Sequence, residues 1–589
     1  MSGRDATLID SSGTFQNLQG SRRTTTEPSP APHGAPRQSA VARQWRFNAV
    51  QAAALVAAGL VALPLITVLW SLTGPYGQTL THLVDTILGE VLLNTLLMCI
   101  LVGLGTLVLG VGTAWLVAAC RFPGSRQFEW LLILPLAMPS YIIGYAYMDL
   151  MAFAGPLQTA IRTTFGVGRG EYWFPPLSGV SGASVMFTLV LYPYVYLLAR
   201  GAFVEQSACI VDAARALGAR PFEAFRRISL PMARPAIAAG VALALMETLA
   251  DFGMVQYFGV LTFTTVIFRT WFGMGDPVAA AQLASGLLIF VLALLLLEQR
   301  SRSQRRFSRT SRRARLFSPY QLSGWKAGLA FAACALPVAL GFLVPVVVFL
   351  QMQIKGGDAV LSEQFLTLAR NSLLLAGLAA AFITLVGALL AYALRVSQSP
   401  LTRGTVRFAT LGYAMPGTII AVGVLIPFGL FDNGLDTLMR TMFGISTGLL
   451  LSGSLAAVML AYLVRFLAVA THSVSSGYAR IGANLDDAAR LLGAGPTEVV
   501  RRIHRPLLSR SLLTAAALVF VDVMKELPAT LIVRPFNFDT LAVRVYNFAS
   551  DERLIQASTS ALCIVAVGLI PVILLSHSLR NEEGGSAPV

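Results

Sequence analysis

Lysine is nearly missing from this 589-residue sequence: Lys326, Lys355 and Lys525 are the only three, and none follows a glycine. A phosphate-cradling loop of the G-x-x-x-x-G-K-[ST] kind is therefore excluded, and any ATP that drives this chain must bind to another subunit. Charge of either sign is also scarce, at 12% of residues against 55% apolar, where a soluble domain carries about 25%. The five cysteines, Cys99, Cys120, Cys209, Cys334 and Cys563, include no close pair. That spacing offers neither a thiolate metal site nor a redox couple, and small buried hydrophobes are the simpler reading. The five histidines are equally scattered, so no ligand cluster or nucleophile–base pair supports a membrane enzyme.

What the chain has instead is long apolar runs, with a mean hydropathy of +0.68. Segments long enough to cross ~30 Å of hydrocarbon recur at 48–72, 91–119, 127–154, 179–200, 234–260 and 278–298, then at 327–352, 369–394, 406–431, 447–470, 509–533 and 556–578. The expected fold is an all-α polytopic membrane protein of about twelve spans. Its net charge of +15 comes from arginine clusters between the spans, the pattern that orients a chain in a bilayer rather than one that binds nucleic acid. Clusters at 121–126, 200–234, 300–315, 395–407, 480–510 and 580 alternate with loops richer in Gly, Pro, Asp and aromatics. This predicts both termini in the cytoplasm.

The organisation expected is a disordered cytoplasmic tail at 1–45, a first repeat of six spans at 46–299, an Arg-rich linker at 300–325, a second repeat at 326–580 and a short tail at 581–589. The repeats share sequence as well as span count. "VDAARALGARPFEAFRRISLP" from Val211 returns as "DDAARLLGAGPTEVVRRIHRP" from Asp486, and "LAMPSYIIGYAYM" from Leu136 resembles "YAMPGTIIAVGVL" from Tyr413. An even number of spans per repeat keeps direction, so the halves should be parallel and related by an axis along the membrane normal.

In the repeated polar loop, Asp212, Ala213, Ala214 and Arg215 lead to Gly218, Arg226 and Arg227; Asp487, Ala488, Ala489 and Arg490 lead to Gly493, Arg501 and Arg502. Alanine favours helix, the glycine permits its reversal, and Pro221 or Pro496 suits the first turn of the next helix. Each loop should be two short helices about a bend. The small alanines allow another surface close, and the arginines offer donors to its carboxylates. The competing reading is an amphipathic helix on lipid headgroups, which the twofold occurrence disfavours.

This Asp-Ala-Ala, Gly, Ile-x-x-Pro pattern resembles the EAA loop of ABC importer permeases, with Asp212 and Asp487 where glutamate is usual. The fused six-plus-six plan is most similar to that of ferric-iron permeases, on "METLADFGMVQYFGVLTFTTVIFRTWF" from Met246 and "VDVMKELPATLIVRPFNFDTLAVRVYNFASDE" from Val521. Fused thiamine and phosphonate permeases share the plan. The resemblance implies a transport subunit of a bacterial inner membrane with no cofactor of its own. Its partners would be two ATPase copies carrying ATP and Mg, docked on the loops, and a periplasmic substrate-binding protein.

Glu247 maps onto Asp522 and Asp251 onto Glu526 at an offset of 275. At ~1.5 Å per helical residue, Glu247 and Asp251 lie roughly 24 and 30 Å beyond Pro231, on one helical face. Carboxylates facing lipid are costly, by ~2.5 kcal/mol or more. These four are therefore expected to line a translocation route for a hard cation, transient Fe3+ with no stable metal site; the alternative is that each pairs with Lys525, a tyrosine such as Tyr192, Tyr194 or Tyr196, or a helix end. Arg269 with Asp276, and Arg544 with Asp551, repeat on outward loops as candidate contacts for the binding protein. An ion-coupled secondary transporter is the remaining alternative, although the brief "RFPGSR" turn and the paired loops have no place in it.

Overall fold

Proline positions decide where the third span of each half breaks or begins. The structure, a computed structural model, describes residues 38–75, 77–168, 171–205, 221–303, 319–359, 362–397 and 399–584. Eleven helices among the described residues are long and apolar enough to cross a membrane, or twelve counting one bent pair. The spans are α1 (Val50–Thr73), α2 (Leu88–Ala119), α3 (Ser140–Met151, the second arm of the bent pair), α4 (Gly179–Glu205), α5 (Leu230–Ala250) and α6 (Pro277–Ser303). The second set is α7 (Trp325–Ile354), α8 (Glu363–Val396), α9 (Gly417–Phe443), α10 (Leu455–Ala479), α11 (Arg505–Met524) and α12 (Leu554–Gly584).

The expected boundaries are corrected at three kinds of place. The span expected at 127–154 is bent by 88° between Ser125–Ala137 and Ser140–Phe165. Pro139 is the cause, since a proline forces its predecessor out of the helical region; Met138 is extended at ψ 114°. Met415 before Pro416 is extended in the same way at ψ 113°, so α9 starts only at Gly417 instead of near 406. The fifth span of each half stops short of its expected end, at Ala250 and Met524, and a short helix follows each, Gly253–Tyr257 and Pro528–Val533. A helix also begins at Gln38, inside the segment expected as tail.

Within each half, the second, fourth and fifth spans form a packed trio: α2 with α4 and α5, and α8 with α10 and α11. Glycines set their approach, because small residues let membrane helices come close where no hydrophobic drive separates lipid from protein. A Cβ on Gly110 of α2 would lie 2.6 Å from Val195 Cβ of α4, and one on Gly387 of α8 would lie 2.7 Å from Ala470 Cβ of α10. Both pairs match across the repeat. Gly387→Leu is expected to destabilise the detergent-solubilised protein by roughly 1–3 kcal/mol through overpacking, whereas the same change at Gly377, with open space around its Cβ position, should leave its thermal midpoint unchanged.

The two halves are interlocked. Span α1 packs on its own half through Ser285 Oγ of α6, which donates to the Val68 carbonyl at 2.6 Å. It also reaches the other half, where a Cβ on Gly423 of α9 would lie 2.6 Å from Pro64 Cβ. The reciprocal contact has Tyr147 Oη of α3 donating to the Leu340 carbonyl of α7 at 2.8 Å, and a Cβ on Gly568 of α12 would meet the Ala137 carbonyl at 2.4 Å. First and last spans of each half thus clasp the third span of the other. Next to this, Cys120–Arg121 (β1) pairs in parallel with Tyr320–Gln321 (β2) at the end of the linker.

Candidate functional site

Asp212, Ala213, Ala214, Arg215 and Gly218 of the first polar loop lie outside the described residues. The second loop is described and has the expected shape. Ala483–Leu491 is a helix, Gly493 reverses the chain at φ +82°, a conformation that side chains disfavour, and Pro496 opens the next helix. Its chemistry differs from the expectation. Asp487 is exposed and pairs with Arg490 at 3.3 Å within the same helix, while the preceding Asp486 is the buried anchor. One Asp486 oxygen accepts from Arg395 Nε at 3.1 Å, and His504 Nε2 lies 3.0 Å from the other; Arg395 also donates to the Gly482 carbonyl at 3.1 Å. Asp486 therefore ties the loop to the end of α8 and to the turn before α11.

Burial raises the Asp486 carboxyl, but hydrogen bonds from His504 and Arg395 outweigh it and hold it below the ordinary 3.8. Because the folded value is depressed, this anchor contributes fully above the ordinary carboxylate range and fades as pH falls through the lowered value. Asp486→Ala is expected to cost about 3 kcal/mol by leaving the Arg395 guanidinium and the buried His504 ring without their acceptor. Faster amide exchange across residues 483–504 at neutral pH would report it, and wild-type protein should approach that behaviour only in strong acid.

Arg502 and Arg227 do not present free guanidinium groups. Each pairs with the glutamate four residues earlier, Glu498 at 3.0 Å and Glu223 at 2.8 Å, the geometry that helix spacing favours. Arg226, Arg501 and Ala488 are exposed, whereas Ala489 is buried against the chain itself. Two residues missed by the sequence reading stand out: Leu491 and Leu492, 89% and 88% exposed at the tip of the loop. Their signal was available as a pair of leucines where the polar pattern calls for none.

Between the two halves lies a cavity of about 320 Å³ lined by Glu247, Asp251, Asp522 and Glu526 together. The fold thus brings two pairs of acids, matched at an offset of 275 in the chain, to one place. The reading of Asp251 and Glu526 as members of continuous helices is corrected. Each sits just past a helix end and caps the short helix that follows: Asp251 Oδ1 accepts from the Met254 and Val255 amides at 2.9 and 3.4 Å, and Glu526 from the Ala529 and Thr530 amides, both at 2.9 Å. Such caps satisfy amides that a helix start leaves orphaned.

All four acids have partners within the protein. Ser140 donates to Asp251, Tyr413 Oη donates to Glu247 at 3.4 Å, Lys525 pairs with Asp522 at 3.0 Å and Arg465 stands 3.8 Å from Glu526. Sequence reading missed Arg465, although a lone arginine in the apolar run of α10 is itself a sign of an interior position. Among the described residues no group of three or more His, Cys, Asp or Glu side chains is arranged to hold a metal ion.

The set on the loops expected to face outward is divided. Arg269 and Asp551 are exposed, and Asp276 caps α6 by accepting from the Ala279 amide at 3.0 Å. Arg544 departs from the expectation of a free loop charge: its side chain is only 16% exposed, pairs with Asp358 and lies 4.5 Å from the Phe548 ring centroid. The segment before α8 folds over it, a contact between residues 186 apart in sequence.

The model of the family described as "Binding-protein-dependent transport system inner membrane component" matches residues 106–303 and 383–580. The chain is 26% identical over 495 residues to the Fe(3+)-transport system permease protein FbpB 2 of Haemophilus influenzae, covering 83% of this chain and 90% of that one. It is 23% identical to the ferric transport system permease protein FbpB of Actinobacillus pleuropneumoniae, covering 82% and 70%. Over 148 residues it is 30% identical to the molybdenum transport system permease protein ModB of Escherichia coli, covering 25% and 62%.

Proposed function

The chain belongs to the family of binding-protein-dependent transport system inner membrane components, and from that premise we propose that it carries ferric iron inward, received from a periplasmic binding protein and driven by a separate ATPase. It is a permease subunit and not itself an enzyme. The observation that carries the cargo assignment is the cavity between the halves, where four carboxylates outnumber the two cations, Arg465 and Lys525. An excess of negative charge in a low-dielectric site favours a hard cation and repels oxyanions such as molybdate. The relatives whose names specify ferric iron cover most of the chain, while the one whose name specifies molybdenum covers a quarter of it.

The two polar loops are the docking points for two ATPase copies, which hold the ATP and Mg. Closure of the ATPase pair moves both loops together, and the interlocked spans pass that motion to the cavity, which opens alternately to the two sides. The arginine clusters in the loops that carry the proposed docking points support a cytoplasmic position for them and for both termini. Arg269 and Asp551 remain candidates for contact with the binding protein, with Asp276 and Arg544 as supports for their loops.

Proteoliposomes containing the permease, its ATPase and its iron-loaded binding protein are expected to accumulate radiolabelled iron only with ATP present. Accumulation by the permease alone on a proton or sodium gradient would overturn the assignment, and transport of thiamine or a phosphonate in place of iron would overturn the cargo.

A further inference from the structure

The repeat is broken at the cavity in a consistent direction. Arg465 and Lys525 occupy second-half positions whose first-half counterparts at the same offset are Val190 and Ala250. Ser140, which binds Asp251, is matched by Gly417. The glycine is what admits the arginine: a Cβ on Gly417 would lie 2.6 Å from an Arg465 terminal nitrogen and 3.0 Å from Glu526 Oε1. Both second-half acids thus have a cation beside them, at 3.8 Å for Glu526 and 3.0 Å for Asp522, whereas hydroxyl groups are the side-chain partners of Asp251 and Glu247.

A second feature points to a ligand. Tyr141 lines the same cavity, is only 4% exposed, and its hydroxyl has no hydrogen-bond partner among the described residues. It lies close enough to both Asp251 and Glu526 to feel their charge. A buried phenol left without a partner is unfavourable by the cost of its desolvation, and phenol and carboxylate oxygens are together the donors that a hard multivalent cation selects.

Resting on the reading of this cavity as the cargo route, we propose that cation reception is one-sided, on Glu247, Asp251 and Tyr141, and that Arg465 and Lys525 are resident counter-charges that limit its affinity. Four uncompensated acids would trap a trivalent ion, while conduction requires a site strong enough to enter and weak enough to leave. The two cations leave two negative charges for the cargo. By this reasoning they determine which cation valence passes at a useful rate.

The test is a titration of the purified permease–ATPase complex with Tb3+, read by tyrosine-sensitised luminescence and repeated with Ga3+ as competitor. Arg465→Gln and Lys525→Met should each bind Tb3+ about tenfold tighter or more and release it more slowly, Glu247→Gln should bind at least tenfold more weakly, and Arg465→Lys, which keeps the charge, should match wild type. Unchanged or weaker Tb3+ binding in Lys525→Met, whose neighbour Asp522 keeps its side chain 25% exposed, overturns the proposal even if Arg465→Gln misfolds. Absence of Tb3+ binding to wild type does the same. If the Tb3+ series behaves as stated but iron is not imported, the counter-charge role stands and the cargo assignment falls.

Discussion

Exchanging Leu491 and Leu492 for aspartate is expected to abolish ATP-driven uptake while leaving the permease folded. Both side chains stand out from the turn between Ala483–Leu491 and Gly493, almost fully exposed, so charging them removes no packing inside this chain. Apolar residues so exposed at a loop tip mark a contact surface, and at the centre of an interface each such anchor contributes about 2 kcal/mol. Two of them correspond to a loss of roughly a hundredfold or more in affinity, since every 1.4 kcal/mol is tenfold. The measurement is co-purification of the ATPase from membranes, with uptake assayed alongside. Normal association of the double variant would place the docking contact elsewhere, with the exposed Arg501 as the next residue to test.

An equally large effect is expected in the cavity. Glu247→Gln, Asp251→Asn, Asp522→Asn and Glu526→Gln together should reduce iron uptake at least a hundredfold with ATPase assembly intact. The amide substitutions are chosen for a structural reason. Asp251 and Glu526 are helix caps, and asparagine or glutamine keeps an oxygen that accepts from the same amides, so the charge is removed and the cap retained. Arg465 and Lys525 then dominate the cavity, and each unit charge lost at about 10 Å from the route shifts the entry of a unit cation by on the order of 1–2 kcal/mol at an effective dielectric near 20, and that of a trivalent one proportionally more. Asp251→Leu is the contrasting variant: it should lose about 1 kcal/mol of stability as well. Wild-type uptake in the four-amide variant would show that the acids serve the fold alone.

Much of this molecule was legible from residue order because a bilayer imposes one-dimensional rules. Span count, the repeat and the bend at Gly493 follow from apolar run length, residue matching and the left-handed preference of glycine, all local properties of the chain. The matched acids were legible for the same reason, since a charge in an apolar run must find an interior position. Local propensity misled the reading at Ala250 and Met524, where hydropathy continues but the helix does not. Asp251 and Glu526 there take the amides of a new helix in place of continuing the old one, a choice that depends on Ser140 and Arg465 from other spans.

The neighbouring Asp486 and Asp487 make the division plain. Sequence matching favoured Asp487 because it recurs as Asp212, yet the buried tie is Asp486, whose matched residue is Val211. By itself the sequence determined that this is a duplicated membrane protein with two polar loops and paired interior acids. Only the tertiary structure decided which aspartate anchors a loop, that the outer spans of each half clasp the other, and that Arg465 reaches Glu526 over Gly417. The reason is that periodicity and length act along the chain, whereas ion pairing depends on separation in space, and the side-chain pairs that meet in that cavity include ones 111 and 166 residues apart.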